Sequence, residues 1–298
     1  MFRLMKKVVF TNSWKEYFER FHLTTFDDFY DYSDASNIGS NQKRNVKAFS
    51  LGEREQRKDF FIKRFHRPHL KDILSAGLNF GRPTTQAGVE LKNARYLLAN
   101  GIGTYNPVCI GEHTLTGIET KSFIVTEKLN SVCLLDFVLE KWRSLDRGIQ
   151  DKIITAVAEQ ARKIHKLNIS FPDLYLWHFF INPESPGGKI QLSVIDLHRM
   201  TQKNHSTRKK TKDLARLYWS MSPDYFDERQ KDLLISSYIG DANSSYKSKL
   251  KKTVQKLAAT LDGKRKLEYQ YKRETADASG EKRSNNNLLQ SATDVLTF

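Results

Sequence analysis

The stretch FPDLYLWHFFINPESPGGKIQLSVIDLHR, residues 171–199, carries an acidic residue on each side of two strand-like runs. Asp173 precedes the run HFFI, and Asp196 ends the run KIQLSVID. The Pro and Gly residues of NPESPGG favour a turn between the runs, so the stretch predicts a β-hairpin with a carboxylate at each end. Asp196 closes an apolar run, and a carboxylate at the end of a buried strand requires a cation or hydrogen-bond donors.

The composition is typical of a globular protein. The chain has 298 residues, of which 39% are hydrophobic, enough to bury a core in one large domain or two lobes. No stretch reaches the roughly 18 apolar residues of a membrane span, and the first apolar run is too short for a secretory signal, so we expect a cytoplasmic location. Cys109 and Cys133 form no CxxC pair, which argues against a disulfide framework or a cysteine zinc site.

The charge is strongly positive. The chain has 49 basic and 34 acidic residues, a formal charge of +15, so its surface is expected to attract polyanions. Segment 202–212 is basic, and it either attracts an anionic acceptor molecule into a binding site or forms a solvated, flexible loop. Segment 247–257 predicts a basic amphipathic helix that either docks on an anionic membrane surface or packs on its neighbours. A nucleic-acid partner is disfavoured, because no basic motif interleaved with aromatic residues is present.

The first half of the chain reads as strands with one helix. Residues 47–65 predict a hairpin ending in FFIKRF, and residues 106–129 predict two further strands around a Gly-containing turn. The helix is predicted from Thr85 to Asn100, with Gly101 at its C-terminal end. Its apolar face is expected to contain Val89, Ala94, Leu97 and Leu98.

The second half reads as mainly helical. A long core helix is predicted from Asp146 to Leu167, with an apolar stripe that includes Ile149 and Ile153, and later helices are predicted around 211–221, 226–240 and 246–262. The polar composition after residue 271 predicts a disordered tail. We therefore expect an α+β, bilobal fold with a β-rich nucleotide-binding lobe over 1–128, a helical catalytic lobe over 129–270 and a tail over 271–298.

Four charged residues follow one another in the order that phosphoryl transfer requires. A kinase site uses a strand lysine for the nucleotide phosphates, a helix glutamate to orient that lysine, a carboxylate near the acceptor hydroxyl and a second carboxylate for the metal. Lys63, Glu90, Asp173 and Asp196 supply these groups in that order. Lys63, Glu90 or Asp173 alone would be interpreted as structural, whereas Asp196 alone already requires a partner or a metal. The order of the four residues carries the prediction. We expect Lys63, Asp173 and Asp196 to converge on one triphosphate.

The region from about Lys47 to Tyr238 resembles the lipopolysaccharide kinase (Kdo/WaaP) family, whose members have a protein-kinase-like fold. The resemblance rests on FFIKRF, on DLYLWHFFI with His178 five positions after Asp173, on SVIDLHR and on KDLARLYWS from Lys212 to Ser220. The family phosphorylates a sugar hydroxyl, typically on inner-core heptose, with ATP and a divalent metal at the cytoplasmic face of the membrane. The resemblance thus implies a peripheral position on the inner membrane and a lipid-linked oligosaccharide or lipopolysaccharide core as acceptor.

The resemblance also implies roles for individual residues. Lys63 would bind nucleotide phosphates and Glu90 would pair with it, while Asp173 would be the catalytic base. Asp196 and His178 would lie at the metal, which is Mg²⁺ or alternatively Mn²⁺. Because Mg²⁺ prefers oxygen ligands, the His178 imidazole either binds the metal weakly, binds Mn²⁺ better or only hydrogen-bonds to a neighbour as a core residue. The remaining candidates for nucleotide binding are Gly39 and Ser40, as a short phosphate-covering turn, and Glu127.

The chain departs from the protein-kinase pattern at two places. Phe171 and Pro172 replace the usual His-Arg before the catalytic Asp, and no convincing GxGxxG precedes the strand lysine. Together with the histidine at position 178, these departures favour an alternative, a pseudokinase that binds a membrane or a partner. The presence of all four charged residues favours the active kinase.

Several other polar residues have mainly structural interpretations. His66 and His69 are expected in a solvent-facing turn, His165 is expected to cap the long helix, and Asp213 is expected to cap or brace the helix that follows it. His198 and Arg199 either contact substrate or nucleotide phosphate or lie in a surface loop, and only an arginine there offers a bidentate phosphate contact.

Overall fold

The computed structural model describes residues 4–11, 13–40, 44–66, 80–81, 83–182, 190–241, 244–261 and 264–271. The chain forms two compact units, the first ending at Leu129 and the second beginning at Asn130. Strands dominate the first unit and helices the second, which confirms the predicted α+β class. The roles assigned to the two lobes stay predictions. Apart from Tyr271, the predicted disordered tail lies outside the described residues.

The first unit is built around an antiparallel sheet. Its six strands lie in the order β1-β6-β7-β4-β3-β2. The strands of this unit are β1 (Leu4–Phe10), β2 (Ser36–Ser40), β3 (Arg44–Leu51), β4 (Lys58–His66), β5 (Gly103–Thr104), β6 (Pro107–Leu115) and β7 (Ile118–Glu127), and its helices are α1 (Trp14–Glu19), α2 (Phe26–Tyr30) and α3 (Gln86–Ala99). The two predicted hairpins are confirmed as the pairs β3–β4 and β6–β7.

Two short helices near the N-terminus were not predicted. Helices α1 and α2 contain six and five residues, which is too short for a helical periodicity to stand out in the sequence. Both supply aromatic side chains to the core of the first unit. Phe18 packs with its ring centroid 5.1 Å from that of Phe29 and 5.2 Å from that of Phe60. The aromatic-rich segment before β2 therefore serves to cover one face of the sheet.

Helix α3 confirms the predicted helix and its ends. The Thr85 hydroxyl accepts a hydrogen bond from the backbone N–H of Gly88 at 3.0 Å, as an N-cap does. Gly101 follows the helix with a φ of +68°, a left-handed conformation that glycine adopts without a Cβ penalty. Val89, Ala94 and Leu97 are buried as predicted, but Leu98 is 38% exposed, so its placement on the apolar face was wrong.

The second unit consists of helices around a small sheet. The described strands here are β8 (Val132–Cys133), β9 (Phe179–Asn182) and β10 (Gln191–Val194), and the helices are α4 (Leu134–Lys141), α5 (Arg147–Lys166), α6 (Thr207–Trp219), α7 (Glu228–Ile239), α8 (Ser244–Ala259) and α9 (Lys264–Tyr271). Strands β9 and β10 form the hairpin predicted from HFFI and KIQLSVID. The turn that joins them, residues 183–189, lies outside the described residues.

The long helix α5 has the predicted bounds, with Asp146 as its N-cap. Its stripe is buried from Ile153 onward, but Ile149 in the first turn is 42% exposed, so the predicted stripe began one turn too early. Helix α6 begins at Thr207, four residues before the predicted start, because its first turns are basic and exposed and lack an apolar face. Part of segment 202–212 is therefore helical.

Helix α8 confirms the predicted helix. Of the two interpretations of its apolar side, membrane docking and packing on neighbouring helices, the structure supports packing. Leu250 and Val254 are buried, and Lys251 and Gln255 contact α7 and α6 through Asp232 and Tyr218, respectively. The apolar side of α8 therefore packs within its own unit, which leaves its lysine-bearing side as the exposed one. Within the described ranges, every helix is too short or too polar to cross a bilayer.

The close approach of Gly111 to Phe123 gives a test of the packing in the first unit. A Cβ atom on Gly111 would lie 2.0 Å from Cε1 of Phe123, which is itself fully buried. We expect Gly111→Ala to lower the free energy of unfolding by about 1–3 kcal/mol, because the ring has no space to move. In chemical denaturation, Gly111→Ala combined with Phe123→Leu should lose less stability than the sum of the two single changes. A double variant whose loss of stability equals the sum of the two single losses would contradict the contact between position 111 and Phe123.

Candidate active site

Lys63 and Glu90, predicted as a pair, are in contact in the first unit. Strand β4 carries Lys63 and helix α3 carries Glu90, and the lysine Nζ donates a hydrogen bond to Oε1 of the glutamate. The second carboxylate oxygen of Glu90 accepts a hydrogen bond from the Tyr105 hydroxyl at 2.8 Å. Because Glu90 is almost fully buried, these donors compensate for the loss of water around its charge. The glutamate thus fixes the position of the lysine ammonium group.

The other residues predicted to bind nucleotide lie on strands. Gly39 and Ser40 form the end of β2, where they pair with Val46 and Asn45 of β3, so these two residues are extended and do not form the predicted turn. Residues 41–43, which follow them, lie outside the described residues. Glu127 ends β7, and its backbone N–H donates to the carbonyl oxygen of Asn106 at 3.0 Å. Nucleotide binding by these residues stays a prediction.

Asp173 lies in the second unit, buried in the turn before β9. Its Oδ1 accepts a hydrogen bond from Nη1 of Arg199 at 2.9 Å. Its Oδ2 is also buried and has no hydrogen-bond partner among the described residues. Buried carboxylate oxygens normally have donors, so this oxygen has the capacity to accept a hydrogen bond from a ligand hydroxyl.

The segment before Asp173 is held by Asp213, in the interior of α6. Oδ2 of Asp213 accepts hydrogen bonds from the Ser170 hydroxyl at 2.8 Å and from the backbone N–H of Phe171 at 2.7 Å. Its Oδ1 accepts from Nη1 of Arg216 at 3.0 Å. Asp213 therefore braces its own helix through Arg216, as one predicted alternative had it, but it is not the cap, because Ser206 is the N-cap. The contacts of its carboxylate with a segment 42 and 43 residues earlier were not predicted.

The histidines at 165 and 66 also differ from their predicted positions. His165 is buried, not a helix cap, and its Nδ1 lies 2.7 Å from the Tyr238 hydroxyl. His66 ends β4, where Nδ1 contacts the Tyr30 hydroxyl, so it is not in a solvent-facing turn. Burial, followed by the charges of Arg64 and Lys121, lowers the pKa of His66. His69 lies outside the described residues.

Asp196 combines a buried carboxylate with a strained backbone. Its φ and ψ are 63° and 60°, a left-handed conformation that costs a non-glycine residue roughly 1–3 kcal/mol and occurs often at functional sites. Oδ1 accepts a hydrogen bond from Nδ1 of His198 at 2.8 Å, and Oδ2 lies 3.9 Å from Nε2 of His178. The carboxylate is therefore oriented by one histidine and faces another.

His178 connects Asp173 to Asp196. Its Nδ1 lies 2.6 Å from the backbone carbonyl oxygen of Asp173. A carbonyl oxygen only accepts hydrogen bonds, so we assign the proton to Nδ1, and in the neutral ring Nε2 then carries the lone pair on the side of Asp196. A carboxylate and an imidazole nitrogen oriented by a second hydrogen bond are a donor set that fits a divalent cation. The nitrogen suits Mn²⁺ better than Mg²⁺.

His198 and Arg199 each bind a carboxylate of this site. From the sequence, these two residues were expected either to contact substrate or phosphate or to lie in a surface loop. Neither alternative included a contact with a carboxylate. His198 orients Asp196, and Arg199 holds Asp173, 26 residues earlier in the chain. The contact of His198 with Asp196 had a signal in the sequence, because the two residues are only two positions apart. The contact of Arg199 with Asp173 had none, because it depends on the folding of the β9–β10 hairpin.

Comparisons with known proteins agree on one family. A sequence model of the lipopolysaccharide kinase (Kdo/WaaP) family matches residues 31–238. The lipopolysaccharide core heptose(I) kinase WaaP of Pseudomonas aeruginosa is 30% identical over 173 residues, which cover 56% of this chain and 63% of that protein. WaaP of Escherichia coli is 30% identical over 168 residues, which cover 55% and 63%. The chain thus spans less than two thirds of the length of these relatives.

A solved structure shares the fold. The structure described as WaaP in complex with acyl carrier protein has a TM-score of 0.61 with this chain at 20% identity, and the match covers 84% of this chain and 99% of that one. At this identity the similarity concerns the fold, and it confirms the predicted protein-kinase-like architecture. The acyl carrier protein was not among the predicted partners.

The contacts of Asp213 predict a large stability effect. We expect Asp213→Ala to lower the free energy of unfolding by about 3 kcal/mol, because the Ser170 hydroxyl and the Phe171 N–H would be left buried without an acceptor. Chemical denaturation measures the loss. Asp232→Ala, which removes the carboxylate of an ion pair on the neighbouring helix α7, is the matched control and should cost about 1 kcal/mol or less. Equal losses in the two variants would contradict the anchoring role of Asp213.

Proposed function

Because the chain belongs to the lipopolysaccharide kinase (Kdo/WaaP) family, we propose that it transfers a phosphoryl group from ATP to a sugar hydroxyl of a lipopolysaccharide core or similar lipid-linked glycan, with heptose as the preferred acceptor. The observation that carries the proposal is the state of Asp173. One of its oxygens is held by Arg199, and the other is buried without a hydrogen-bond partner among the described residues. This arrangement suits a carboxylate that receives an acceptor hydroxyl.

In the proposed reaction, Asp173 acts on the acceptor. Its Oδ2 accepts a hydrogen bond from the attacking hydroxyl and orients that oxygen towards the γ-phosphorus of ATP. As the new ester bond forms, Asp173 takes up the hydroxyl proton, the bond from the γ-phosphorus to the β–γ bridging oxygen breaks, and ADP leaves. Arg199 keeps Oδ1 occupied, so Oδ2 is the oxygen of Asp173 that has no hydrogen-bond partner among the described residues and would receive the hydroxyl. Positioning of this kind supplies much of the rate enhancement in phosphoryl transfer, because the protein does little covalent chemistry.

On the nucleotide side, Lys63 neutralises charge on the phosphate oxygens. Glu90 holds the lysine, and Tyr105 holds Glu90, so the ammonium group is positioned before nucleotide binds. Asp196 and His178 would hold a divalent ion, which would neutralise charge on the transferring phosphoryl group. His198 fixes the orientation of Asp196. Nucleotide binding by Gly39, Ser40 and Glu127 belongs to the same proposal.

We also propose a peripheral position on the cytoplasmic face of the inner membrane, where a lipid-linked acceptor is presented. The support is the formal charge of +15 and the lysines on the exposed side of α8, since clustered lysines bind anionic lipid headgroups. The buried apolar side of α8 takes no part in this docking. Attraction to the membrane would therefore be electrostatic and would weaken with salt.

The proposal is tested by transfer of labelled phosphate from ATP to purified lipopolysaccharide core. We expect Asp173→Asn and Asp196→Asn each to lower kcat by about a hundredfold or more, because one removes the base and the other the metal carboxylate. Asp224→Asn changes an exposed carboxylate of the same unit and should leave kcat unchanged. Acceptor phosphorylation that survives in either variant would remove the role assigned to that residue. A wild type that binds ATP but transfers no phosphate would establish the pseudokinase alternative.

The position of His178 predicts a change in metal preference. Activity should be lost with EDTA, and the wild type should be more active with Mn²⁺ than with Mg²⁺, because an imidazole nitrogen suits Mn²⁺. His178→Asn replaces this nitrogen by an amide oxygen while allowing a hydrogen bond to the carbonyl of Asp173. The ratio of kcat with Mg²⁺ to kcat with Mn²⁺ should rise in this variant. An unchanged ratio would place the metal away from His178.

A further inference from the structure

Arg199 binds a buried carboxylate while more than half of its side chain is exposed to solvent. One of its nitrogens is bound to Oδ1 of the buried Asp173, yet 57% of its side chain is exposed. A guanidinium group has five N–H donors in a planar fork, and one contact with Asp173 uses only part of this capacity. The exposed donors lie beside the carboxylate that is proposed to receive the acceptor hydroxyl.

A second arginine of the same unit is also bound to a carboxylate. Arg216, on α6, donates from Nη1 to Asp213 and retains 23% exposure of its side chain. Arg199 is thus the arginine that binds Asp173, and Arg216 is the one that binds Asp213.

The charge of the surrounding segment has one sign. Residues 197–219 contain a single carboxylate, that of Asp213, which is 1% exposed and fully engaged by its three donors. The same segment contains seven lysines and arginines, which are Arg199, Lys203, Arg208, Lys209, Lys210, Lys212 and Arg216. The positive charges of this segment outnumber its carboxylates, so an anionic acceptor would be attracted to it more strongly than a neutral one.

We propose that Arg199 binds an anionic oxygen group of the acceptor, a carboxylate or a phosphate, next to the hydroxyl that is phosphorylated. This inference rests on the proposed kinase function and adds the acceptor charge that the site selects. The planar fork of Arg199 matches the two oxygens of either group, so the contact is bidentate. Arg199 thereby acts as a specificity residue for the acceptor and as a positioning residue for Asp173.

The two roles of Arg199 predict different kinetics. Loss of acceptor binding raises KM for the acceptor and leaves KM for ATP unchanged, whereas displacement of Asp173 lowers kcat for every acceptor. Arg229 offers a matched control in the same unit. Its side chain is 54% exposed and bound to Asp151 at 2.7 Å, so Arg229→Gln removes the same charge and a similar ion pair without contact to Asp173. Arg199→Lys keeps the charge but removes the fork.

The experiment compares the wild type, Arg199→Gln, Arg199→Lys and Arg229→Gln on three acceptors. These are native lipopolysaccharide core oligosaccharide, the same oligosaccharide with its carboxyl groups reduced, and the same oligosaccharide after dephosphorylation. We expect Arg199→Gln to raise KM for the native acceptor by about tenfold or more, Arg199→Lys to raise it by an intermediate factor, and Arg229→Gln to have no effect. KM for ATP should stay constant. The derivative that lacks the recognised anion should show the raised KM already with the wild type, and Arg199→Gln should add nothing further.

Two results would overturn the inference. One is equal KM values of the wild type for all three acceptors. The other is an Arg199→Gln variant that loses kcat to the same degree with each acceptor at unchanged KM, which would reduce Arg199 to a support for Asp173. Calorimetric titration of the same oligosaccharides measures binding without turnover. A wild type that binds the native acceptor about tenfold more tightly than one derivative but transfers no phosphate would sustain this inference and contradict the proposed function.

Discussion

The acidic site of the second unit depends on the buried carboxylate of Asp213. A carboxylate in this environment must have donors, and it obtains them from the Ser170 hydroxyl and the Phe171 N–H. This requirement fixes the segment that leads to Asp173. His178 then connects Asp173 to Asp196, because its Nδ1 contacts the backbone carbonyl oxygen of Asp173 and its Nε2 faces the carboxylate of Asp196. One desolvated charge on a helix thus determines where two other carboxylates lie.

The departures from the protein-kinase pattern are compatible with this arrangement. Phe171 stands where the pattern has a histidine and is fully buried, so it contributes packing while its backbone N–H binds Asp213. The carboxylate of Asp173 is oriented by Arg199, which follows Asp196 in the chain. Each carboxylate is therefore held by a side chain that follows β10 in the chain. Arg199 binds Asp173, and His198 binds Asp196. Loss of the usual His-Arg pair does not leave the site without support.

The sequence predicted the features that depend on local periodicity and on turn residues. The β3–β4 and β9–β10 hairpins and helices α3 and α5 belong to this group, because their apolar residues recur at strand or helix spacing. Ile149 and Leu98 show the limit, since periodicity does not reveal where a helix face loses its packing partner. The Lys63–Glu90 contact was predicted from residue order in a known pattern. The contacts of Asp213 with Ser170 and Phe171 and of Arg199 with Asp173 were not predicted, because each depends on a partner brought near by the tertiary fold.

A crystal structure with Mn²⁺ and a non-hydrolysable ATP analogue, recorded with anomalous scattering, tests directly whether Asp196 and His178 hold a metal beside Asp173. We expect an anomalous peak within about 2.3 Å of a carboxylate oxygen of Asp196, as oxygen ligands bind such ions. The terminal phosphate should face Oδ2 of Asp173. A manganese peak bound elsewhere, or an Asp173 turned away from the nucleotide, would show that these residues do not form the proposed site.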